Sequence, residues 1–325
     1  MSFPIALSRT LLVAAVLVVG VRAQEAPAIP LPKAAAKILA LQAALDRAGF
    51  SPGEIDARRG TFTSRALQAF REARGLGAAN ADNPALARAL GDAYTKPVTS
   101  YVITEADAAG PFVEAIPKDM MKQAELEALG YTSLSEALAE RFHMSPALLS
   151  RLNARVRLEA GATIVVPAVE PLEIRTHQGK RPRVPSAAAS GRTMELAKET
   201  GAVIVRDAGG AILMYAPVTV GSQQDPLPVG DWKITGIYDR PIFNYNPDLF
   251  WDAQEGHGKA RIAAGPNNPV GLVWIDINKP HFGFHGTPEP SRIGRTESHG
   301  CVRMTNWDAL RLAALVEDGT PVKLR

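Results

Sequence analysis

Apolar positions in the first third of the chain recur at helical spacing. Ile38, Leu41, Leu45 and Ala48 share one face, and Gly49 follows where a helix C-cap would stand. The run Phe50-Ser51-Pro52-Gly53-Glu54-Ile55-Asp56 is turn-rich. Thr61-Phe62-Thr63-Ser64 then offers N-cap chemistry for a second helix that buries Ala66, Leu67 and Phe70. Residues 33–76 therefore predict a small helical unit, preceded by an Ala- and Pro-rich linker over 24–32. Across 77–130, Pro97, Pro111 and Pro117 interrupt any long regular element, and the stretch reads as a connecting region. A second helical pattern follows in Leu134, Ala137, Leu138 and Phe142. Ser145 and Pro146 then supply the N-cap and first position of a helix with Leu148, Leu149 and Leu152 on its apolar side, ending at Asn153. Residues 158–166 read as a short β-element closed by Pro167, so 131–167 form an α+β module. Residues 171–190 carry Lys180, Arg181, Pro182, Arg183, Pro185 and a run of Ala and Ser, the composition of a solvated interdomain linker.

From Arg192 onward the period changes to that of strands. Glu195-Leu196-Ala197-Lys198, Ala202-Val203-Ile204-Val205 and Ile212-Leu213-Met214-Tyr215 are strand candidates, with Gly209-Gly210 as a hairpin signal. The segments 217–221, 230–234 and 273–277 continue the pattern, and only 307–316 is clearly helical. Residues 191–325 predict a mostly-β domain, a sandwich or a partly open barrel.

Composition bounds these units. The 325 residues suffice for two or three domains, and 46% hydrophobic with 21% charged residues is a globular profile. Residues 11–21 form an apolar run too short for a comfortable membrane span. Val21-Arg22-Ala23 offers a cleavage site behind it, so 1–23 read as an export signal, and no later segment is apolar enough to span a bilayer. Removing 1–23 takes Arg9 and Arg22 from a formal net charge of +3, leaving +1, too little to argue for a nucleic-acid partner.

The export signal sharpens one residue. Cys301 is the chain's only cysteine, so in an oxidising compartment it has no partner for an intrachain disulfide. It lies in Ser298-His299-Gly300-Cys301-Val302-Arg303, with a second His-Gly pair, His285-Gly286, upstream. A cysteine nucleophile needs a thiolate, a histidine to take its proton, and N–H donors aimed at the developing oxyanion. His285 and His299 are both candidate bases, and spacing alone does not choose between them. Gly286 and Gly300 permit close backbone approach. His257 and His281 read as surface or structural residues. A zinc site would want more ligands than one cysteine and two histidines.

These residues carry three resemblances. His285-Gly286-Thr287 and Ser298-His299-Gly300-Cys301-Val302-Arg303-Met304, with Pro228-Val229-Gly230, Gly265-Pro266, Asn268-Pro269-Val270-Gly271 and Phe282-Gly283-Phe284, resemble the L,D-transpeptidase or YkuD family. Residues 33–76 resemble the peptidoglycan-binding type 1 domain through Leu41, Gln42, Leu45, Gly49, Phe50, Gly53, Ile55, Asp56, Gly60, Thr63, Ala66 and Phe70; Ala57 and Arg71 depart from its pattern. Residues 131–167 resemble a LysM module, with Tyr131-Thr132-Ser133 in place of the usual Gly-Asp-Thr.

The first resemblance implies a cofactor-free enzyme of the periplasm or cell envelope. Cys301 would attack the third residue of a peptidoglycan stem tetrapeptide, release D-alanine as a thioester forms, and pass the acyl group to a second stem as a 3–3 cross-link. It implies His285 as base, the Gly286 carbonyl as its orienting partner, and the N–H groups of Gly300 and Cys301 as oxyanion hole. Ser298 and His299 would shape that loop, and Arg303 would meet a substrate carboxylate. Carbapenems would acylate Cys301. Water as acceptor would make an L,D-carboxypeptidase, a protein lysine an anchoring enzyme, and release of a wall-linked protein a peptidase. A non-catalytic wall-binding protein would use the upstream modules alone. The aromatic segment 237–265 is expected as a lid or wall over Cys301.

Overall fold

The computed structural model describes residues 27–77, 84–182 and 189–325; the predicted export signal lies outside them. In the first unit, α1 (Lys33–Arg47) and α2 (Thr61–Ala73) bury Leu39, Leu45, Ala66 and Phe70 completely. Gly60, with no side chain to offer, occupies the N-cap of α2. Thr63, one of the run 61–64 expected to supply the cap, instead accepts from Gln42 Nε2 at 3.1 Å. Gln42 also donates to Asp56 Oδ1 at 2.9 Å and accepts from the Ala57 N–H at 2.9 Å, which ties the connecting loop to α1.

Two short helices, α3 (Pro84–Leu90) and α4 (Asp92–Thr95), lead into β1 (Val98–Val102). After α5 (Glu105–Ala109) and α6 (Met120–Gln123) come α7 (Leu134–Arg141), α8 (Pro146–Leu152) and β2 (Thr163–Pro167). β1 pairs antiparallel with β2, Val98 opposite Pro167 and Val102 opposite Thr163. The α+β unit thus takes its first strand from the stretch read as a connection. Pro97 hid it: standing just before the strand, it interrupts nothing. Ser145 caps α8, accepting from the Leu148 N–H at 3.1 Å, and Asn153 closes it and clasps Val165 of β2 through N–H and carbonyl.

The linker reading fails in its middle. β3 (Gly179–Lys180) pairs with β7 (Gly230–Asp239). Arg181 forks onto the buried Asp239 carboxylate at 2.6 and 2.8 Å and donates to the Ala313 carbonyl at 2.6 Å. A charge cluster that resembles a solvated run is therefore a docking point. Residues 183–188 of this stretch lie outside the described residues.

The C-terminal domain holds β4 (Thr193–Ala197), β5 (Ala202–Arg206), β6 (Ile212–Pro217), the ten-residue β7, β8 (Phe243–Tyr245), β9 (Ala260–Ile262), β10 (Val273–Ile277), β11 (Gly283–His285), β12 (Val302–Arg303), α9 (Asn306–Leu315) and β13 (Pro321–Leu324). Its main sheet runs β12-β11-β10-β7-β13-β4-β5-β6. It is one curled sheet, not two stacked ones. The first half of β7 pairs with β13 and the second half with β10, and residues of both halves, Met194, Val203 and Met214 with Ile275, Phe284 and Val302, meet in one core with α9. The predicted strand over 217–221 is absent among the described residues, where Thr219 makes one isolated bridge, to Arg303. β8 and β9 form a separate hairpin.

The units are welded together. Ser51 donates its N–H to Tyr215 of β6 at 2.8 Å, and Tyr215 returns its own to Gly49 at 2.9 Å, covering that sheet edge. Gly49 has φ +85°, and a Cβ there would stand 2.8 Å from the Leu213 carbonyl oxygen. A buried polar knot joins all three units. Asp46 of α1 contacts His143 at 3.1 Å and Arg311 of α9 at 3.0 Å, while Ser51 donates to Asp308 at 2.7 Å. His143 also stacks on Trp307 at 5.1 Å.

Candidate active site

Parallel pairing of β11 with β12 sets the site. Phe284 lies opposite Val302 and His285 opposite Arg303, so Cys301 enters β12 beside Gly283. Gly283 directs its backbone N–H to the Cys301 sulfur. A Cβ at Gly283 would stand 2.6 Å from the Trp274 ring, so only glycine fits there. The Cys301 thiol in turn donates to the His281 carbonyl at 3.6 Å. His281 is exposed with φ +60°, a left-handed backbone unusual outside glycine. The side chain of His281 is at the surface, as expected, while its backbone carbonyl reaches the sulfur.

His285 is 4% exposed and its Nδ1 lies 2.6 Å from the Gly286 carbonyl oxygen. A carbonyl only accepts, so Nδ1 carries the proton and Nε2 is the ring's acceptor. Trp274, opposite His285 across β10 and β11, stacks on the ring at 5.5 Å and 14°. Burial first, then the positive charge of Arg303, holds the imidazole down at about 3, against the opposing pull of the Gly286 bond. Burial pushes the Cys301 thiol up to about 11; the Gly283 N–H and Arg303 oppose that shift, while Asp225 and Asp276 add to it. Both shifts favour the uncharged forms, thiol and imidazole.

The loop before Cys301 is braced from within. Ser298 is buried, and its hydroxyl donates to the Cys301 carbonyl at 2.6 Å. Gly300 has φ +98°, and a Cβ there would press on the Phe282 ring at 3.2 Å. Arg303 donates to the Glu297 carbonyl at 3.3 Å and lines the cleft. His299 is engaged by the aromatic wall of the cleft. Its Nε2 donates to Asp252 at 2.6 Å, its ring lies 4.7 Å from Phe250, and its Nδ1 is buried without a hydrogen-bond partner.

Cys301, His285, Ser298, His299, Gly300 and Arg303 all line one cleft of about 1140 Å³, and Gly286 stands behind His285. Phe243, Tyr245, Phe250 and Asp252 of the aromatic segment form one wall. The reading of the sequence missed Trp274, Lys118 and Met120, and gave Gly283 no role beyond its place in a motif. Trp274 and Asp276 alternate with the buried Ile275 along β10, a parity that could have placed both on the cleft side. Lys118 and Met120 come from the connecting region, where no local pattern points to a cleft. Among the described residues, no group of three or more His, Cys, Asp or Glu is arranged to hold a metal ion.

Residues 196–324 match the YkuD family, described as the L,D-transpeptidase catalytic domain. A Bacillus subtilis protein named “Putative L,D-transpeptidase YkuD” is 27% identical over 58% of this chain and 91% of its own. YkuD of Bacillus licheniformis is 48% identical over 59 residues, 18% of this chain, which spans 36% of that relative's length. L,D-transpeptidase 3 of Mycobacterium tuberculosis, solved with a faropenem-derived adduct, aligns with 54% of this chain and 78% of its own at 14% identity and a TM-score of 0.34. Over residues 196–324 the C-terminal domain is thus similar to the YkuD family.

Proposed function

We propose that this protein is an L,D-transpeptidase that forms peptidoglycan 3–3 cross-links through a thioester on Cys301. The observation that carries this reading is the arrangement of β11 and β12. Cys301 and His285 line one cleft, with the His285 tautomer held by the Gly286 carbonyl at 2.6 Å. That carbonyl has the orienting role a carboxylate has in other nucleophile–histidine sites.

In the first half-reaction, Cys301 Sγ gives its proton to His285 Nε2 and bonds to the carbonyl carbon of the third stem residue. The N–H groups of Gly300 and Cys301 stabilise the resulting oxyanion. As the carbonyl re-forms, the bond to D-alanine breaks, and its amine leaves with the proton held on Nε2. In the second half-reaction, an acceptor amine from another stem gives a proton to Nε2 and attacks the thioester. The Cys301 sulfur leaves and recovers that proton. Arg303 meets a stem carboxylate, and the aromatic wall of β8 and β9 excludes water, which favours an amine over hydrolysis. No cofactor enters either step. Residues 1–23 would direct the chain to the periplasm or cell envelope, and the two upstream units would hold it on the wall.

Incubating purified protein with sacculi and separating the muropeptides tests this reading. New 3–3 dimers with wild type, absent with Cys301→Ala, are expected. Tripeptides alone would replace transfer with L,D-carboxypeptidase action. An unchanged profile would leave only wall binding.

A further inference from the structure

We propose that Glu140, in the central unit, is a positioning residue for His285, acting through the side-chain amide of Asn306; the inference rests on the transpeptidase reading above. The chain of contact begins at the Gly286 carbonyl, which takes the Nδ1–H of His285. Gly286 itself has no room for a side chain. A Cβ on it would stand 2.0 Å from Asn306 Oδ1. A Cβ on Gly271 would stand 2.1 Å from the same oxygen and 2.7 Å from the Gly286 carbonyl carbon. The amide oxygen of Asn306 therefore sits in a notch between two glycines, where it accepts the Leu272 N–H at 2.9 Å.

The other end of the amide decides which way it faces. Asn306 Nδ2 donates to Glu140 Oε1 at 2.7 Å and to the Pro266 carbonyl at 3.1 Å. Turning the amide over would set its NH₂ against the Leu272 N–H and its oxygen against two acceptors. One orientation alone satisfies all four groups. Asn306 is fully buried and Glu140 is 9% exposed, so water does not substitute for a lost partner at low cost. Glu140 also accepts from Tyr131, another residue of the central unit. Docking of that unit thus reaches the imidazole in three contacts: Glu140 to Asn306, Asn306 to Gly286, and Gly286 to His285.

The test compares full-length variants. Glu140→Gln keeps the length and the acceptor oxygen. Glu140→Asp falls one methylene short, and Glu140→Met keeps the length but lacks the acceptor, so a loss variant remains if one of these two does not fold. Two readouts are taken: the His285 Nδ1–H resonance in protein carrying ¹⁵N-histidine, and the rate of Cys301 acylation by meropenem followed by intact mass, with thermal unfolding as the control for folding. Glu140→Gln should keep the ring resonance and acylate within about two-fold of wild type. The loss variants should shift or broaden the resonance and acylate about ten-fold more slowly, with the half-saturating meropenem concentration unchanged. A folded loss variant with the wild-type resonance and rate would overturn the proposal. So would a Glu140→Gln variant as impaired as the loss variants, since charge rather than the amide contact would then be the cause. Wild type that takes no meropenem would count against the transpeptidase reading, while the ring resonance would still decide the coupling.

Discussion

At the scale of residues, two histidines with similar sequence settings have different surroundings. His285 is sealed under Trp274 and keyed to Gly286, whereas His299 is held by Asp252 and the aromatic wall. His285→Ala should lower Cys301 acylation by about 10²–10⁴-fold, the usual size of a lost general base. His299→Ala should cost much less, and equal losses in stopped-flow acylation would contradict that division. The His285 environment also sets a pH dependence. Its folded value of about 3 lies below the ordinary histidine value of 6.5. Below pH 6.5 the unfolded chain therefore binds a proton that the folded chain refuses, and this residue's contribution to stability is lost as pH falls from 6.5 towards 3. His285→Gln should flatten the fall in Tm over that window. An unchanged slope would show that the buried imidazole is not the group responsible.

At the scale of elements, the β8–β9 hairpin is held from outside the catalytic domain. Leu129 packs on Tyr245 and Ile262, its N–H donates to the Ala264 carbonyl at 3.2 Å, and its own carbonyl accepts from Asn267 at 3.0 Å. Asp119 Oδ2 contacts His257 at 3.4 Å, and His257 contacts the Tyr245 hydroxyl at 3.0 Å. Replacing residues 246–257 with a short Gly-Ser turn should slow acyl-enzyme formation by about ten-fold or more while the main sheet still folds. An unchanged acylation rate, with far-UV circular dichroism preserved, would remove the hairpin from the reaction. The aromatic density of the segment was legible in the sequence, as was its place near Cys301. Its clamp was not, because residues 111–130 show neither a helical nor a strand period and the clamping contacts, Leu129 with Ala264 and Asp119 with His257, join residues more than a hundred positions apart.

The same distinction holds for the rest of the chain. Periodicity revealed α1, α8, α9 and the β4–β6 meander because each buries one regular face. The Cys301 and His285 motifs were legible because glycine, histidine and cysteine stand in fixed order. The strand β1, the pairing of β3 and the seat of Arg181 were hidden, since each is specified by a partner distant in sequence.

At the scale of the whole molecule, the upstream units are structural parts of the catalytic domain's surroundings. The carboxylate of Asp46 is fully buried, and the guanidinium of Arg311 with His143 holds it well below the usual carboxylate range despite burial, which acts the other way. Asp46→Ala would leave Arg311 and His143 without that partner and should cost about 3–5 kcal/mol, read from urea unfolding of the full chain. A loss under about 1 kcal/mol would show that the knot relaxes at little cost. Residues 191–325 expressed alone would lose the cover on β6, the Ser51 bond to Asp308 and the Asp46 bond to Arg311. That fragment should unfold at a lower Tm than the full chain.

The central claim is a thioester on Cys301. Intact-protein mass spectrometry after brief exposure to a disaccharide tetrapeptide, with released D-alanine measured in parallel, tests it most directly. Wild type should gain the mass of the tetrapeptide less one D-alanine and release that amino acid, and Cys301→Ala should do neither. D-alanine release by Cys301→Ala, or a wild-type enzyme that cross-links without ever carrying the adduct, would contradict the account.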